Sequence, residues 1–579
     1  MMRTWSFVLF SLLVIPISAQ YVRSEIGDRY EIFVEKIQAK YKIDLGTHTT
    51  VHPFNLKNAF DTLDSLSNMF DAMEMKEWAY LKKQHDIIAP EEVKSEVREV
   101  EEGDGFYTIE TPEKETPKPF LKYFYTNRNH FLSLDKGNFS LRADPVIDLG
   151  YSNASNDNNL IFRNTRGVKI TGIIDNKVLV HTSIFENQAN FPAYVNRFVT
   201  ENFTIPRNGF YKTYRSSVID NLKGWDYLNA QAFIGVPISK NIQIEFGHGR
   251  NFIGNGVRSL LLSDFGNNYL YLKFNAQFWK FHYQTIYGEL SAVSAQDRYS
   301  PDSAVLPKKY TANHYLSFRP NQNFEVGLFE TVVFGRKDHL EPQYLNPVIL
   351  YRTIEQFLNS PDNVLLGLNM AYVPVKKVKL YGQFVLDEFL LQNIKDQNGW
   401  WGNKYGLQLG VKLYDVVPKT NIGLEYNAVR PYTYTHYQSI DTTIGDKSIS
   451  SYSHYNQALA HPLGANFREW IVTVDHAITP KIKVNTTLFL WNKGLDAPGE
   501  NNGGNIFLNY RSRNNDFGNY IGQGISNKVV HWRSQVSYEF FPNMMADINL
   551  LCRRQTSQPN TFLAGIGLRI NMATQNYDF

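Results

Sequence analysis

Short turns marked by proline or asparagine recur along this chain, and much longer polar segments separate them. The turns read VPISKN (236–241), RPNQN (319–323), VPVKK (373–377), VPKTN (417–421), TPK (479–481) and FPNMM (541–545). The connections on the other side run to roughly 15 to 40 residues, and an antiparallel barrel that crosses a membrane has this same asymmetry. Short turns lie at one end of such a barrel and long loops at the other.

Apolar and polar residues alternate between these turns. The segments 139–151, 405–413 and 528–540 all show the pattern; for example, Gln408 is followed by Leu409. Successive side chains on a strand point to opposite faces, so one face would meet lipid and the other a polar interior. A soluble β-sandwich also alternates, but its strands are about 5–6 residues long. A tilted membrane strand needs about 9–11 residues, and these segments reach that length.

We therefore predict an all-β fold, a transmembrane antiparallel β-barrel of about 18 strands spanning 126–579. The candidate strands lie near 138–151, 160–174, 177–186, 227–237, 242–248, 268–278, 280–290, 313–319, 323–334, 363–373, 377–387, 404–414, 421–429, 468–477, 481–491, 528–540, 544–553 and 561–572. An even number of strands places both ends of the barrel on the periplasmic side. The aromatic Phe579 at the end of this sequence is typical of proteins inserted into the outer membrane.

The first 19 residues resemble a secretory signal peptide. The apolar run from Phe7 to Ile17 follows Arg3 and precedes Ala19, and it is too short to span a bilayer. Aromatic residues make up 14% of the chain, as expected if aromatic girdles mark both membrane interfaces. These features predict location in the outer membrane of a Gram-negative bacterium, with outer-membrane lipid as one partner.

Residues 20–125 do not alternate and are predicted to be a small periplasmic helical segment with a charged tether. Phe60, Leu63 and Phe70 recur at helical spacing, which predicts one or two amphipathic helices from about Asn55 to Lys83. The stretch 91–119 is charged and contains proline, which favours a tether. The helices either form a small packing domain, or close the periplasmic mouth of the barrel, or dock a partner there.

Ligand-binding residues are expected in the long loops. Aromatic side chains offer flat apolar faces with polar tips, which suit sugar rings, and a guanidinium can hold a carboxylate through two hydrogen bonds. The candidates that combine these properties are Trp400, Trp401, Arg430, Tyr432 and Tyr434. The alternative is that these rings pack the loops together or belong to the interfacial girdle.

The sequence predicts no enzyme, no cofactor and no metal site. It contains no G-x-S-x-G motif, and His436, His454 and His461 are spaced 18 and 7 residues apart, which matches no compact ligand motif. The glycine-rich GHGRNFIGNG (247–256) follows a membrane strand and reads as the start of a loop. The single Cys552 excludes an internal disulfide and is expected to face lipid. A net charge of +3 indicates no particular partner, and we expect no nucleic acid partner.

Several segments resemble the Wzi-like family of capsule-assembly outer-membrane proteins, whose Bacteroidetes branch includes RemB-type gliding motility proteins. These segments are GHGRNFIGNGVRSLLLSDFGNNYLYLK (247–273), FETVVFGRKDHLEPQYLNPVIL (329–350), LYGQFVLDEF (380–389), LEYNAVRPYTYTH (424–436) and YNQALAHPLG (455–464). The resemblance covers roughly residues 140 to 579. It implies an 18-stranded barrel with an N-terminal periplasmic helical element and a lectin-like role in holding capsular polysaccharide. It supplies no catalytic residues, and the acidic segment 91–119 departs from the family pattern.

Three functions remain open at this point. The chain is a non-catalytic binder or assembly factor of surface polysaccharide, an accessory of gliding motility or protein secretion that contacts other envelope proteins, or a diffusion or uptake channel. Inward positions such as Arg142, Glu425 and Arg533 carry long charged side chains of both signs. Because opposite charges can pair across an interior, we expect the lumen to be substantially occupied.

Overall fold

The computed structural model describes residues 21–88, 95–102, 105–112, 125, 129–155, 157–217, 222–292, 307–335, 339–360, 362–437, 449–556 and 558–579, and over 95–112 it describes the backbone alone. The expected signal peptide lies outside the described residues. Among these residues, no helix is both long enough and apolar enough to span a bilayer.

Antiparallel strands pair in chain order and close into a barrel, with the last strand hydrogen-bonded to the first. The eighteen barrel strands within the described ranges are β1 Phe139–Ala154, β2 Asp157–Ile174, β3 Val178–Asn190, β4 Lys223–Pro237, β5 Ile242–Gly249, β6 Tyr269–Phe278, β7 Phe281–Ser291, β8 Lys308–Asn321, β9 Phe324–Phe334, β10 Asn363–Tyr372, β11 Val378–Glu388, β12 Lys404–Val417, β13 Thr420–Val429, β14 Phe467–Thr479, β15 Ile482–Leu495, β16 Ile525–Phe541, β17 Met544–Gln555 and β18 Gln558–Ile570. Short strands at Leu132–Lys136 and Lys212–Arg215 extend the edges of β1 and β4. The prediction of an all-β barrel of about 18 strands is confirmed.

The two faces of the wall separate as the alternation predicts. Leu409 on β12 is 53% exposed and points outward, whereas the adjacent Gln408 is fully buried inside. In the lumen Gln408 donates to Asn427 at 3.0 Å and to Glu425 at 3.3 Å. On this strand the outward face is therefore apolar, as a bilayer requires, and the inward face carries a hydrogen-bonded polar network.

The two ends of the barrel differ in their connections. At one end, here called the short-turn end, successive strands are joined by a few residues, as between β16 and β17. Asn543 in that turn adopts a left-handed backbone conformation (φ 58°), which asparagine tolerates better than most residues. At the opposite, long-loop end lie the long connections, including 191–222, 430–466 and 496–524. The first strand begins and the last strand ends at the short-turn end.

Three helices precede the barrel: α1 Arg29–Tyr41, α2 Leu56–Leu66 and α3 Ala72–Gln84. Asn55 caps α2 as expected, accepting a hydrogen bond from the Lys57 amide at 3.1 Å. Helix α1 was not predicted, although its buried residues have helical spacing. These are Tyr30, Phe33, Val34 and Ile37. The three helices pack around Trp78, whose ring stacks on Phe33 with centroids 6.2 Å apart.

Residues 21–88, hereafter the plug, fill much of the short-turn mouth. Their charged side chains pair with inward residues of strands all around the barrel. The pairs include Glu35 with Lys379 and Lys412, Arg23 with Glu245, Arg29 with Glu539, Asp86 with Arg142, Glu25 with Lys169, and Glu77 with Lys483. The expectation that paired charges occupy the lumen is thus confirmed for the described residues.

The segment between plug and barrel differs from the expected tether. Its backbone forms a two-stranded antiparallel hairpin of Ser95–Glu102 and Gly105–Pro112. The sequence EVREVEE carries charged residues in most positions, so it has no continuous apolar face that would identify a strand. The proline-containing part, TPEKETPKP (111–119), continues past Pro112 into residues outside the described ranges.

Residues 571–579, hereafter the tail, turn back into the lumen after β18 and do not extend that strand. The Tyr577 carbonyl accepts a hydrogen bond from the Tyr194 hydroxyl at 2.6 Å, and the Phe579 carbonyl accepts one from Arg553 at 3.0 Å. Phe579 packs on Phe198 with ring centroids 4.6 Å apart. The final aromatic residue therefore lies inside the barrel, against helix α4 (Ala193–Asn202) of a long loop.

A second loop covers part of the outer wall. Its short 3₁₀ helix Pro342–Leu345 and helix α5 (Tyr351–Leu358) lie over β7, β8 and β9. Beneath them, Thr285, His314 and Glu330 form an outward-facing polar row across the three strands, and all are buried. The Tyr351 ring lies 4.1 Å from the His314 ring, and the Arg352 amide donates to Glu330 at 3.2 Å.

Candidate functional site at the long-loop end

The loop between β11 and β12, which includes helix α6 (Leu391–Lys395), meets the loop between β15 and β16. Segments 398–401 and 516–519 run side by side. Main-chain hydrogen bonds of 2.9 Å join the Trp401 amide to the Asp516 carbonyl and the Gly518 amide to the Asn398 carbonyl. This pairing places the two adjacent tryptophans beside a second aromatic stretch of the chain.

Trp401 is sandwiched within this junction. Its ring centroid lies 4.6 Å from that of Tyr510, and the Arg513 guanidinium lies 4.4 Å from the indole centroid. Trp400 is 5.7 Å from Trp401 at an interplanar angle of 55°. Both indoles remain partly exposed. The Arg513 guanidinium is held over the indole by the Asp516 carboxylate, 2.6 Å from Nε, and by the Tyr510 carbonyl, 3.3 Å from Nη1.

The same arrangement is repeated nearby. The Arg511 guanidinium lies 4.2 Å from the centroid of the Tyr437 ring, and Tyr437 contacts Tyr510 at 5.9 Å. Tyr520 is 63% exposed and Phe517 is 56% exposed. We define the loop surface as the partly or fully exposed residues of this junction: Trp400, Trp401, Tyr437, Arg511, Arg513, Phe517 and Tyr520.

Tyr432 and Tyr434 lie beneath the loop surface and are each 1% exposed. The Tyr432 hydroxyl donates to the Asn501 carbonyl and the Tyr434 hydroxyl to the Leu260 carbonyl, both at 2.8 Å. Burial raises the pKa of Tyr432 to about 12. Both residues have positive φ, 65° and 73°, a strained conformation that persists only where surrounding contacts enforce it. In this structure their rings face the interior and offer no face to a ligand.

Arg430 also forms its hydrogen bonds beneath the loop surface. Its guanidinium donates to the carbonyls of Asn403 at 2.7 Å, Asn519 at 3.3 Å and Trp400 at 3.4 Å. Those three carbonyls belong to two different loops, so Arg430 ties them to the start of its own. Its Nε and Nη2 donors are thus directed at the main chain.

Of the five residues predicted to bind ligand, the structure thus brings Trp400 and Trp401 to the surface and places the other three below it. Sequence reasoning missed Arg511 and Arg513. The signal was present in RSRNNDFGNY (511–520), where two arginines and two aromatic residues stand in a loop rich in asparagine and glycine.

The three histidines considered as metal ligands have separate partners. His461 contacts Glu469 at 2.6 Å, His454 accepts from the Ser291 amide at 2.9 Å, and His436 contacts the Tyr437 carbonyl at 3.1 Å. Burial, with a smaller effect of Lys404, lowers the pKa of His436 to about 4.

One acidic cluster of the described residues has spacing suited to a cation: Asp71, Glu74 and Asp415. The ammonium group of Lys40 already lies between them, at 2.7, 2.6 and 3.0 Å respectively. The position that a cation would take is therefore occupied by a side chain of the plug itself.

A cavity of about 1020 Å³ opens at the short-turn end, between the plug and the wall. Its lining carries both signs of charge, including Lys36, Glu77 and Asp475. The base of the tail, Asn571 to Thr574, forms part of its boundary. The cavity therefore reaches the tail from the side of the short turns.

No family model matches the chain, and no curated protein matches it. Among solved structures it is similar to Wzi, an outer membrane protein involved in group 1 capsule assembly in Escherichia coli and described as a carbohydrate-binding β-barrel. The two are 14% identical over 75% of this chain and 85% of that chain, with a TM-score of 0.46. It is also similar to Pseudomonas aeruginosa OprD, at 11% identity over 75% and 94% with a TM-score of 0.40, and to P. aeruginosa OpdK with vanillate, at 10% over 74% and 98% with 0.42. Similarity at this level concerns the barrel architecture alone.

Proposed function

We propose that the protein is a non-catalytic outer-membrane barrel that binds or assembles surface polysaccharide of the capsular type through its long loops. The observation that carries the proposal is the loop surface, where partly exposed indoles stand beside guanidinium groups that lie over aromatic rings. Aromatic side chains bordered by N–H donors suit sugar rings, and the exposed Arg511 adds a preference for the carboxylates of an acidic polymer.

The filled lumen disfavours a diffusion channel. The plug occupies the short-turn mouth, and Tyr432, Tyr434 and Arg430 draw the loops together at the other end. A conducting pore needs a continuous aqueous path between these ends. We therefore expect small or no steady currents in planar-bilayer recordings of the purified protein, and large steady currents would favour the channel instead.

Retention of a polymer does not require tight binding at any single site. Individual contacts of a sugar with an indole or a guanidinium are weak, but a long chain engages many copies of the protein on one cell. The loop surface therefore needs only modest affinity per repeat unit. Binding to whole polymer is expected to exceed binding to short oligosaccharides strongly.

The deciding experiment combines Trp400→Ala, Arg511→Ala and Tyr520→Ala, which remove exposed groups and leave the buried tyrosines in place. We expect surface polysaccharide to be released into the medium while the barrel stays folded and inserted. The matched control is Trp279→Ala, since Trp279 is 77% exposed in the turn between β6 and β7 at the opposite end. Normal retention of polymer with loss of gliding or secretion would replace this proposal by the accessory role.

A further inference from the structure

Three arginines from different elements converge in the lumen beside the tail. Arg258 comes from the connection between β5 and β6, Arg533 from β16 and Arg553 from β17. The Nε atom of each is buried and has no hydrogen-bond partner, and the same holds for Nε2 of the neighbouring His531. Buried donors without acceptors are costly, and three of the four belong to permanently charged groups.

The tail satisfies these donors only in part. The Asp578 carboxylate lies 3.7 Å from Arg533 Nε and 3.9 Å from Arg258 Nη1, longer than the roughly 2.7–2.9 Å of a charge-assisted hydrogen bond. Other groups supply closer contacts. Arg258 donates to the Asp578 carbonyl and to Glu469 at 3.4 Å, Arg533 donates to Asn485 at 2.9 Å, and Arg553 donates to the Phe579 carbonyl at 3.0 Å. A carboxylate is thus held among the guanidinium groups without a close bidentate contact.

Aromatic side chains surround the same place. Phe579 packs against Phe198, Phe265 and Tyr194 at centroid distances of 4.6, 5.6 and 6.3 Å. The site therefore combines guanidinium groups with apolar ring faces. A ring that bears a carboxylate has the complementary chemistry, and the tail presents the same two features in Asp578 and Phe579.

The tail is held as an irregular segment. It contains no helix or strand. Its base is anchored by Asn571, which donates to the carbonyls of Asn543 at 3.0 Å and Pro145 at 2.8 Å, and by Thr574, which donates to Gln535 at 3.0 Å. Asn571 to Thr574 border the cavity at the short-turn end. Movement of the tail out of the arginine cluster would connect this cavity to the cluster.

We propose that Arg258, Arg533 and Arg553 form a binding site for a cyclic carboxylate reached from the short-turn end, and that the tail occupies this site as an internal stand-in. Asp578 takes the place of the ligand carboxylate and Phe579 that of its ring. The site lies in the lumen and is separate from the loop surface.

The test compares the full chain with a chain that lacks residues 572–579, using glucuronate and benzoate as two separate probes in titration calorimetry. We expect at least one probe to bind the shortened protein at least tenfold more tightly than the full protein, and the stronger probe identifies the ring type. Neutral glucose and benzyl alcohol are expected not to bind. Combining Arg533→Gln with Arg553→Gln in the shortened chain should abolish binding, whereas Arg319→Gln, a lumenal arginine on β8, should not.

Asp578→Asn in the full chain provides a second route if the shortened protein fails to fold. It removes the charge of the stand-in and keeps the chain length, so probe affinity should rise in the same direction by a smaller factor. Equal affinity of the full, shortened and Asp578→Asn proteins, or binding that survives loss of both arginines, would overturn the proposal. The Trp400/Arg511/Tyr520 triple variant should bind the probes normally, which separates this site from the proposed function.

Discussion

The two ends of the barrel are closed by different chemistry. At the short-turn end, side-chain ion pairs hold the plug, with Glu35 bridging Lys379 and Lys412 at 2.9 Å. At the long-loop end, Tyr434 and Arg430 reach main-chain carbonyls of other loops. The first closure depends on the ionisation of both partners, whereas the second depends on shape and on hydrogen bonds that persist at any ordinary pH.

Salt and pH can therefore weaken the closure at the short-turn end more easily than the closure at the long-loop end. Ion pairs at a hydrated mouth are screened by salt and change with pH. Buried hydroxyl-to-carbonyl bonds respond to neither, because they involve no charged group. The short-turn end is therefore expected to loosen first under salt or alkali, and the long-loop end when packing is removed or when acid protonates its buried His436.

Tyr434→Ala should have the largest effect on stability. It removes a buried ring, its contact with Tyr452 and the hydrogen bond to the Leu260 carbonyl. Loss of a large buried aromatic residue costs about 3–5 kcal/mol, and denaturant unfolding measures it. Tyr520→Ala, at an exposed position of the same end, should change stability by no more than about 0.5 kcal/mol. If the two substitutions lower the free energy of unfolding by similar amounts, Tyr434 does not help to close the long-loop end.

Glu35→Gln should weaken the other closure by about 3 kcal/mol, because it leaves Lys379 buried without its carboxylate partner. The two lysines hold the pKa of the Glu35 carboxyl well below its usual range despite its burial. Limited proteolysis should then cut within the plug while the barrel stays intact. Asp61→Asn, which breaks the exposed Lys57–Asp61 pair on α2, is the control and should cost about 0.3–0.5 kcal/mol. If the plug of the Glu35→Gln variant stays resistant to the protease, packing alone holds the plug in the barrel.

A rise in pH should loosen the short-turn end alone, with a smaller effect of about 1–2 kcal/mol. Burial lowers the pKa of His130, but hydrogen bonds to Asp144 and Asp86 outweigh it and raise the pKa to about 9. A raised pKa contributes stability that is complete below about pH 6.5 and disappears as pH rises through about 9. Hydrogen-exchange protection factors of the plug, corrected for the intrinsic rise of exchange with pH, should therefore fall between pH 7 and 10, and should not fall in His130→Gln.

The long-loop end should respond to acid instead. Because the pKa of His436 is lowered to about 4, the stability that the neutral ring contributes is lost as pH falls from about 6.5 through 4. Hydrogen-exchange protection factors near His436 should be unchanged between pH 7 and 10. Parallel responses of the two ends to alkali would remove the distinction between them.

The wall was predictable because strand alternation is a local property. Leu409 and Gln408 point to opposite faces through their own backbone geometry, whatever lies elsewhere in the chain. Helix α1 also has a local signal, because Tyr30, Phe33, Val34 and Ile37 recur at helical spacing, but it was not predicted. In the loops, Trp400 and Trp401 do lie at the surface, and their role in ligand binding stays a prediction.

What could not be predicted depends on distant partners. Tyr432 is buried because it reaches Asn501, 69 residues away, and Tyr434 because it reaches Leu260, 174 residues away. The tail lies in the lumen because Asp578 meets Arg258, 320 residues away. No pattern within a short window encodes such pairings, so the sequence could indicate aromatic loops but not which rings turn inward.

The loop on the outer wall gives the barrel a front and a back in the plane of the membrane. Over β7 to β9 the polar row of Thr285, His314 and Glu330 is hidden, and Val348 (86% exposed) and Phe357 (79% exposed) present apolar side chains in its place. Neighbouring molecules consequently meet a ridge on this side and a bare strand surface elsewhere. In a crowded membrane, the contacts between neighbouring copies would therefore depend on which side of the barrel each copy presents.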